Sequence, residues 1–165
     1  GMSSVTLDRH LGRSSSYDVV TEGLNYRADE IKAALGIVQL DKLSEGNSKR
    51  GKLFDYYRKK FLGTRIEVPF VENEASVLPA YHIMPILLPR DLDRTEVIGY
   101  MKNAGIQTSI HYPSFSSFTA YKNTVNFTQL KIANEICERE LTLPLHPRLD
   151  FHDLDLVVDT LLGVA

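Results

Sequence analysis

His111, Tyr112 and Pro113 follow an alternating stretch, Ile106-Gln107-Thr108-Ser109-Ile110. Period-two alternation predicts a half-buried strand, and Tyr112-Pro113 stops it. An imidazole at a strand end, just before a loop, is where a rigid element presents a side chain that can accept or hold a proton near neutral pH. An ordinary hydrogen bond at a sheet edge uses the same placement, and both readings stand. Ser109 and His111 share a face of this strand. No acid is placed in the sequence to orient the imidazole, so a nucleophilic serine finds no support. The five histidines, His10, His82, His111, His146 and His152, lack the spacing of a helical zinc pair. His82 lies in a mostly apolar run and reads as a satisfied core histidine. The single cysteine, Cys137, permits neither an internal disulfide nor a paired-cysteine metal motif, and reads as a small buried hydrophobe. No metal site is expected. A phosphate loop and a Gly-x-Gly-x-x-Gly fingerprint are both absent from the sequence.

A second place for chemistry is Gly23-Leu24-Asn25-Tyr26-Arg27, directly before a helical pattern. Ile31, Ala34, Leu35 and Val38 fall at i, i+3, i+4 and i+7, which predicts an amphipathic helix. Asp29 and Glu30 sit in its first turn, favourable to the helix dipole. Asn25 and Arg27 thus put an amide and a guanidinium at a helix start, a position suited to an anion. The simpler alternative is that Asn25 is a turn residue and Arg27 pairs with Asp29 or Glu30.

These residues need elements to hold them. The chain has 165 residues, 43% hydrophobic and 24% charged, with a formal net charge of -2. That is enough for one domain with a fair core. The charge offers no general attraction to nucleic acid or to an anionic membrane. Neither a membrane-spanning apolar run nor a secretory leader is evident, so a cytoplasmic protein is expected. Residues 1–22 are polar, with serines at 14, 15 and 16, and read as an irregular arm; residues 23–165 read as the folded domain.

The first helix is expected from about Ala28 to Leu43, with a break at Gly46-Asn47 before Leu53, Phe54, Tyr57 and Phe61 resume the period. Gly63 is a plausible cap. The run Lys49, Arg50, Lys52, Arg58, Lys59, Lys60 and Arg65 fits a solvated helix face better than a nucleic-acid groove. Short strands are expected over Arg65–Pro69, Tyr81–Leu88, Ile106–His111 and Leu141–Pro144, with Pro85 implying an edge or a bulge. Asp93 and Asp150 can cap helices carrying Val97, Ile98 and Met101, and Leu154, Val157, Val158, Leu161 and Leu162. Thr128 can cap another, with Ile132 and Ile136 on one face. This order predicts an α/β fold, an α+β sandwich with a small, mostly antiparallel sheet covered by helices on one face.

Gly23-Leu24-Asn25-Tyr26-Arg27, Glu30-Ile31-Lys32-Ala33-Ala34-Leu35-Gly36 and Gln39-Leu40 resemble the signature of the DegT/StrS family. These are pyridoxal-phosphate-dependent sugar aminotransferases of the aspartate aminotransferase superfamily, fold type I. Asp8-Arg9-His10-Leu11-Gly12 resembles the segment before that block. Gly105-Ile106-Gln107-Thr108 with Ile110-His111-Tyr112-Pro113 is similar to a second block, and Leu141-Thr142-Leu143-Pro144-Leu145-His146-Pro147 to a third. The resemblance implies the C-terminal small domain of such an enzyme.

It also implies roles. Asn25 would reach across a homodimer to the cofactor phosphate, with Arg27 framing the same corner. His111, Tyr112, Pro113 and Ser114 would line the sugar-nucleotide pocket. Family members are more than twice this length. Their large domain carries the Schiff-base lysine, the aspartate that pairs with the pyridine nitrogen, and the ring-stacking aromatic. No lysine here lies in that context, so no catalytic residue is assigned. The resemblance therefore implies pyridoxal phosphate, glutamate and a nucleotide sugar for the intact enzyme. It implies no cofactor and no transamination for this chain without its large domain. The alternative is a stand-alone binding or regulatory module that keeps the fold without catalysis.

Overall fold

The computed structural model describes residues 29–70, 77–119 and 130–165. The arm over residues 1–22 and the Asn25-Arg27 corner lie outside them. The chain divides into two units, Gly1–Asp41 and Lys42–Ala165. Helix α1 (Glu30–Phe61) begins in the first and ends in the second.

In the first unit, Asp29 opens α1. Its carboxylate accepts from the Lys32 N–H at 2.8 Å and pairs with the Lys32 ammonium at 3.0 Å. Those two bonds, the backbone one first, hold the Asp29 carboxyl below its ordinary range. Asp29 thus pairs with Lys32. The apolar stripe Ile31, Leu35 and Val38 stays exposed.

In the second unit α1 continues without the break expected at Gly46-Asn47. A helical glycine costs about 1 kcal/mol relative to alanine. The flanking turns offset this: Lys49 pairs with Glu45 at 2.6 Å, and Arg50 bonds to Asn47 one turn back. Downstream, Leu53, Phe54, Tyr57 and Phe61 are buried on one face, each stabilising by roughly 1.5–3 kcal/mol. Gly51 makes room for the Tyr81 ring; a Cβ there would meet it at 2.9 Å. The basic run is largely engaged with acids: Arg58 with Asp55, Lys60 with Asp155 and Arg65 with Asp91.

Strands β1 (Met84–Leu87) and β2 (Glu140–Leu143) pair antiparallel, with Met84 opposite Leu143 and Ile86 opposite Leu141. Side chains alternate across a strand. These four are therefore on one face, while Pro85, Leu87, Glu140 and Thr142 are on the other. Thr142 exchanges both backbone bonds with Ser109, and Leu87 exchanges both with Glu67. The Pro85–Thr142 pair is thus a non-hydrogen-bonded one, and the missing proline donor breaks no bond between β1 and β2.

Three expected strands are shorter in the fold. Arg65–Pro69 and Ile106–His111 each contribute a single bridge, Glu67 to Leu87 and Ser109 to Thr142. The strand expected from Tyr81 begins only at Met84. Tyr81 takes a φ of 47°, outside the extended region, so the chain bends before the ladder starts. His82 is consequently exposed and is not a core residue.

Helix α2 (Arg94–Asn103) starts on Asp93, whose carboxylate accepts from the Thr95 and Glu96 N–H groups, and Gly105 follows its end with a φ of 79°. Helix α3 (Lys131–Arg139) leads into β2. Its Ile132 and Ile136, one turn apart on one face as their spacing predicts, stay exposed. Polar contacts anchor this helix. Arg139 donates to the Leu88 carbonyl at 2.7 Å and to Glu135 at 2.7 Å, and pairs with Glu67. Arg94 donates to the Cys137 and Glu140 carbonyls. Helix α4 (Phe151–Leu162) starts in a capping box, with Asp150 accepting from the Asp153 N–H at 2.9 Å and Asp153 accepting from the Asp150 N–H at 3.0 Å.

Buried residues of α1, α2 and α4 join Met84, Ile86, Leu141 and Leu143 in one core. The fold is α/β, with a small antiparallel sheet whose apolar face meets three helices.

Two consequences are measurable. Asp150→Ala removes the cap of α4 and is expected to lower stability by about 1 kcal/mol in urea unfolding. Asp155 accepts from Lys60 at 2.6 Å and from the Tyr56 hydroxyl at 2.7 Å. Lys60 first, then Tyr56, holds the Asp155 carboxyl below its ordinary range, and Asp155 raises the Lys60 ammonium above its own. The carboxylate's contribution is present above the ordinary carboxylate range and is lost as pH falls through the lowered value. The ammonium's is present below its ordinary value and is lost as pH rises through the raised one. The stability gap between wild type and Lys60→Met is thus expected to be full near neutrality and to shrink towards both extremes.

Candidate active-site wall

The sheet face turned away from the core carries the polar chemistry. Ser109 lies opposite Thr142, so antiparallel register sets His111 opposite Glu140. Glu140 and Thr142 are two residues apart on β2 and share a face with Ser109 and His111. Both are buried, at 4% and 6% exposure. The His111 N–H donates to Glu140 Oε2 at 2.8 Å. The Thr142 hydroxyl donates to Glu140 Oε1 at 2.5 Å, and His111 Nδ1 lies 2.9 Å from Thr142 Oγ1. An acid therefore does orient the imidazole, through a threonine. The sequence hides it because the acid comes from a strand 29 residues away. The signal is the Glu140-x-Thr142 spacing on a strand that is otherwise apolar, and it is readable only once the register is known.

This cluster borders a cavity of about 580 Å³. Its walls include His82, Ser109, His111, Thr142, Pro144, His146 and Asp153. Behind it, the fully buried Tyr57 donates its phenol to the Pro144 carbonyl at 3.0 Å. Burial first, and the Asp153 charge second, push the Tyr57 phenol far above its ordinary pKa, so it remains a neutral donor.

The four residues expected to line a substrate pocket divide. His111 lines the cavity. Tyr112 follows a cis peptide bond, is 68% exposed, and sets its ring edge-on to His111 at 4.9 Å. Pro113 is exposed. Ser114 turns to helix α3, where its hydroxyl bonds to Asn134 Oδ1 at 2.6 Å and meets the Ser116 hydroxyl at 2.7 Å. Asn25 and Arg27 lie outside the described residues.

Among the described residues, neither lysine nor arginine lines the cavity. These described residues offer no lysine amine to tether an aldehyde and no guanidinium for a phosphate, so by themselves they do not fit pyridoxal phosphate. Ligand atoms of Asp150, His152 and Asp153 converge within 4.8 Å on the surface; the two aspartates already serve the α4 capping box. No helix among the described residues is long and apolar enough to cross a membrane.

The model of the DegT/DnrJ/EryC1/StrS aminotransferase family matches residues 2–162. The chain belongs to this family. Two curated relatives in the family are transaminases of nucleotide-linked amino sugars. One, from Campylobacter jejuni, is a UDP-4-amino-4,6-dideoxy-N-acetyl-beta-L-altrosamine transaminase, 29% identical over 89% of this chain and 39% of its own length. The other, from Shigella dysenteriae, is a dTDP-4-amino-4,6-dideoxy-D-glucose transaminase, 30% identical over 84% of this chain and 38% of its own length. The PMP-form of Spr1654 from Streptococcus pneumoniae superimposes with a TM-score of 0.82 at 29% identity, covering 99% of this chain and 42% of that one. The chain thus spans about two-fifths of the length of the relatives it matches. The matched residues take in both the Asn25-Arg27 corner and the His111 block.

Proposed function

We propose that this chain is the C-terminal part of a pyridoxal-phosphate-dependent aminotransferase that aminates nucleotide-linked keto sugars, and that it does not transaminate alone. The observation that carries this reading is the full-chain family match set against a coverage of only 38–39% of the sugar transaminase relatives. The reading assigns the amine that tethers the cofactor to the part of the enzyme outside this chain.

In the assembled enzyme, Asn25 contacts the cofactor phosphate, Arg27 frames the same corner, and a homodimer brings them to the partner's cofactor. His111 and its neighbours face the sugar nucleotide. Glutamate supplies the amino group. Pyridoxal phosphate, when bound, carries that group between the two substrates. The protein acts in the cytoplasm.

The exposed Ile31, Leu35 and Val38 form an apolar helix face that the rest of the enzyme would cover, so the isolated chain is expected to self-associate in sedimentation as its concentration rises. A monomer at high concentration would count against that cover.

The genome that encodes the chain tests the reading as a whole. A domain bearing the cofactor lysine is expected, either in frame ahead of Met2 or as a separate gene. Its absence from the genome would sink the aminotransferase reading and leave a stand-alone binding module.

A further inference from the structure

We propose that Glu140 and Thr142 are positioning residues that lock His111 in its Nδ1–H tautomer, so that the imidazole offers the cavity a bare Nε2 lone pair. The argument is a count of protons. Glu140 Oε2 faces a backbone N–H, which can only donate, at 2.8 Å. Oε1 faces the Thr142 hydroxyl at 2.5 Å. The geometry has the Thr142 hydroxyl donating to Oε1; with Glu140 as a carboxylate, which accepts only, that bond uses the hydroxyl's single proton. Thr142 Oγ1 then has only lone pairs left for His111 Nδ1, which stands 2.9 Å away. Nδ1 must therefore carry the ring proton.

In the neutral ring Nε2 is left as the acceptor. It has no hydrogen-bond partner among the described residues, and His111 lines the cavity. The burial of Glu140 and Thr142 keeps solvent from competing for the relay.

The chemical consequence concerns the ligand. A bare Nε2 selects a group that donates a hydrogen bond, such as a sugar hydroxyl or an amino group, and disfavours a carbonyl or phosphate oxygen at the same spot. The opposite tautomer would reverse that preference. Naming a sugar as the donor rests on the function proposed above; the tautomer itself does not.

The test is nitrogen NMR of the full chain with labelled histidine, without any ligand. His111 is expected to show a protonated, pyrrole-type Nδ1 and a pyridine-type Nε2 at a pH where the ring is neutral. Thr142→Ser should keep that pattern, and Thr142→Val should lose it. Glu140→Gln gives a sharper outcome. The amide oxygen must serve the His111 N–H, so the amide nitrogen faces Thr142 and donates to it. The hydroxyl proton is then released to Nδ1, and the ring should switch to the Nε2–H form. A wild-type ring already in the Nε2–H form would overturn the proposal whatever the variants do. So would a folded Glu140→Gln variant with the wild-type pattern. Because no substrate is present, these outcomes are independent of whether the chain serves a sugar aminotransferase.

Discussion

Replacing Tyr57 by alanine is expected to lower the free energy of unfolding by about 3–5 kcal/mol, the range for large aromatic truncations in a core. Tyr57 has no solvent exposure. Its ring lies parallel to that of Phe61, with centroids 6.1 Å apart. Its hydroxyl ties α1 to Pro144, just past the end of β2. Alanine would leave a cavity under the sheet and a carbonyl without its donor. Tyr57→Phe keeps the ring and deletes only the phenol, so it should lose about 1 kcal/mol. Urea unfolding measures both, and an unchanged m-value would show that the unfolded state is the same. Because Pro144 also borders the cavity beside His111, the phenylalanine variant should alter ligand contacts there more than its small stability loss suggests. Equal losses for the two variants would mean that the ring packing matters less than the single hydrogen bond.

The second large effect belongs to the assembled enzyme. Asn25→Ala is expected to weaken binding of pyridoxal phosphate by about 10- to 100-fold, since a hydrogen bond to a charged group contributes roughly 1.5–3 kcal/mol. Asn25→Asp should be worse, because it sets a negative charge against the phosphate. Titration of the assembled enzyme with cofactor measures both. Unfolding of the isolated chain should hardly change, since the proposed partner of Asn25 is the phosphate. Wild-type cofactor affinity in the alanine variant would remove Asn25 from the phosphate site.

Much of the architecture is legible in the sequence where one local rule dominates. Asp93 and Asp150 cap the helices expected of them, and Val97, Met101 and the Leu154 to Leu161 stripe are buried. Gly63 and Gly105 take the positive φ that ends a helix. The misreadings arise where tertiary contacts overrule local pattern. Gly46 interrupts nothing, because neighbouring pairs and the aromatic face beyond it hold the helix together. His82 looks internal by hydropathy, but the backbone at Tyr81 turns it outward.

The site shows the same division. His111 at the end of an alternating run is visible in the sequence. Its acid is not, because Glu140 becomes its partner only through the cross-strand register set by Ser109 and Thr142.

The most direct measurement of the central claim is amino transfer from glutamate to a nucleotide-linked keto sugar in the presence of pyridoxal phosphate. It is made with this chain alone, and with this chain assembled with the cofactor-bearing part of the enzyme. No transfer is expected from the chain alone, and transfer is expected from the assembly. Turnover by the chain alone would contradict the account, as would an assembly that binds cofactor and still leaves the sugar unaminated.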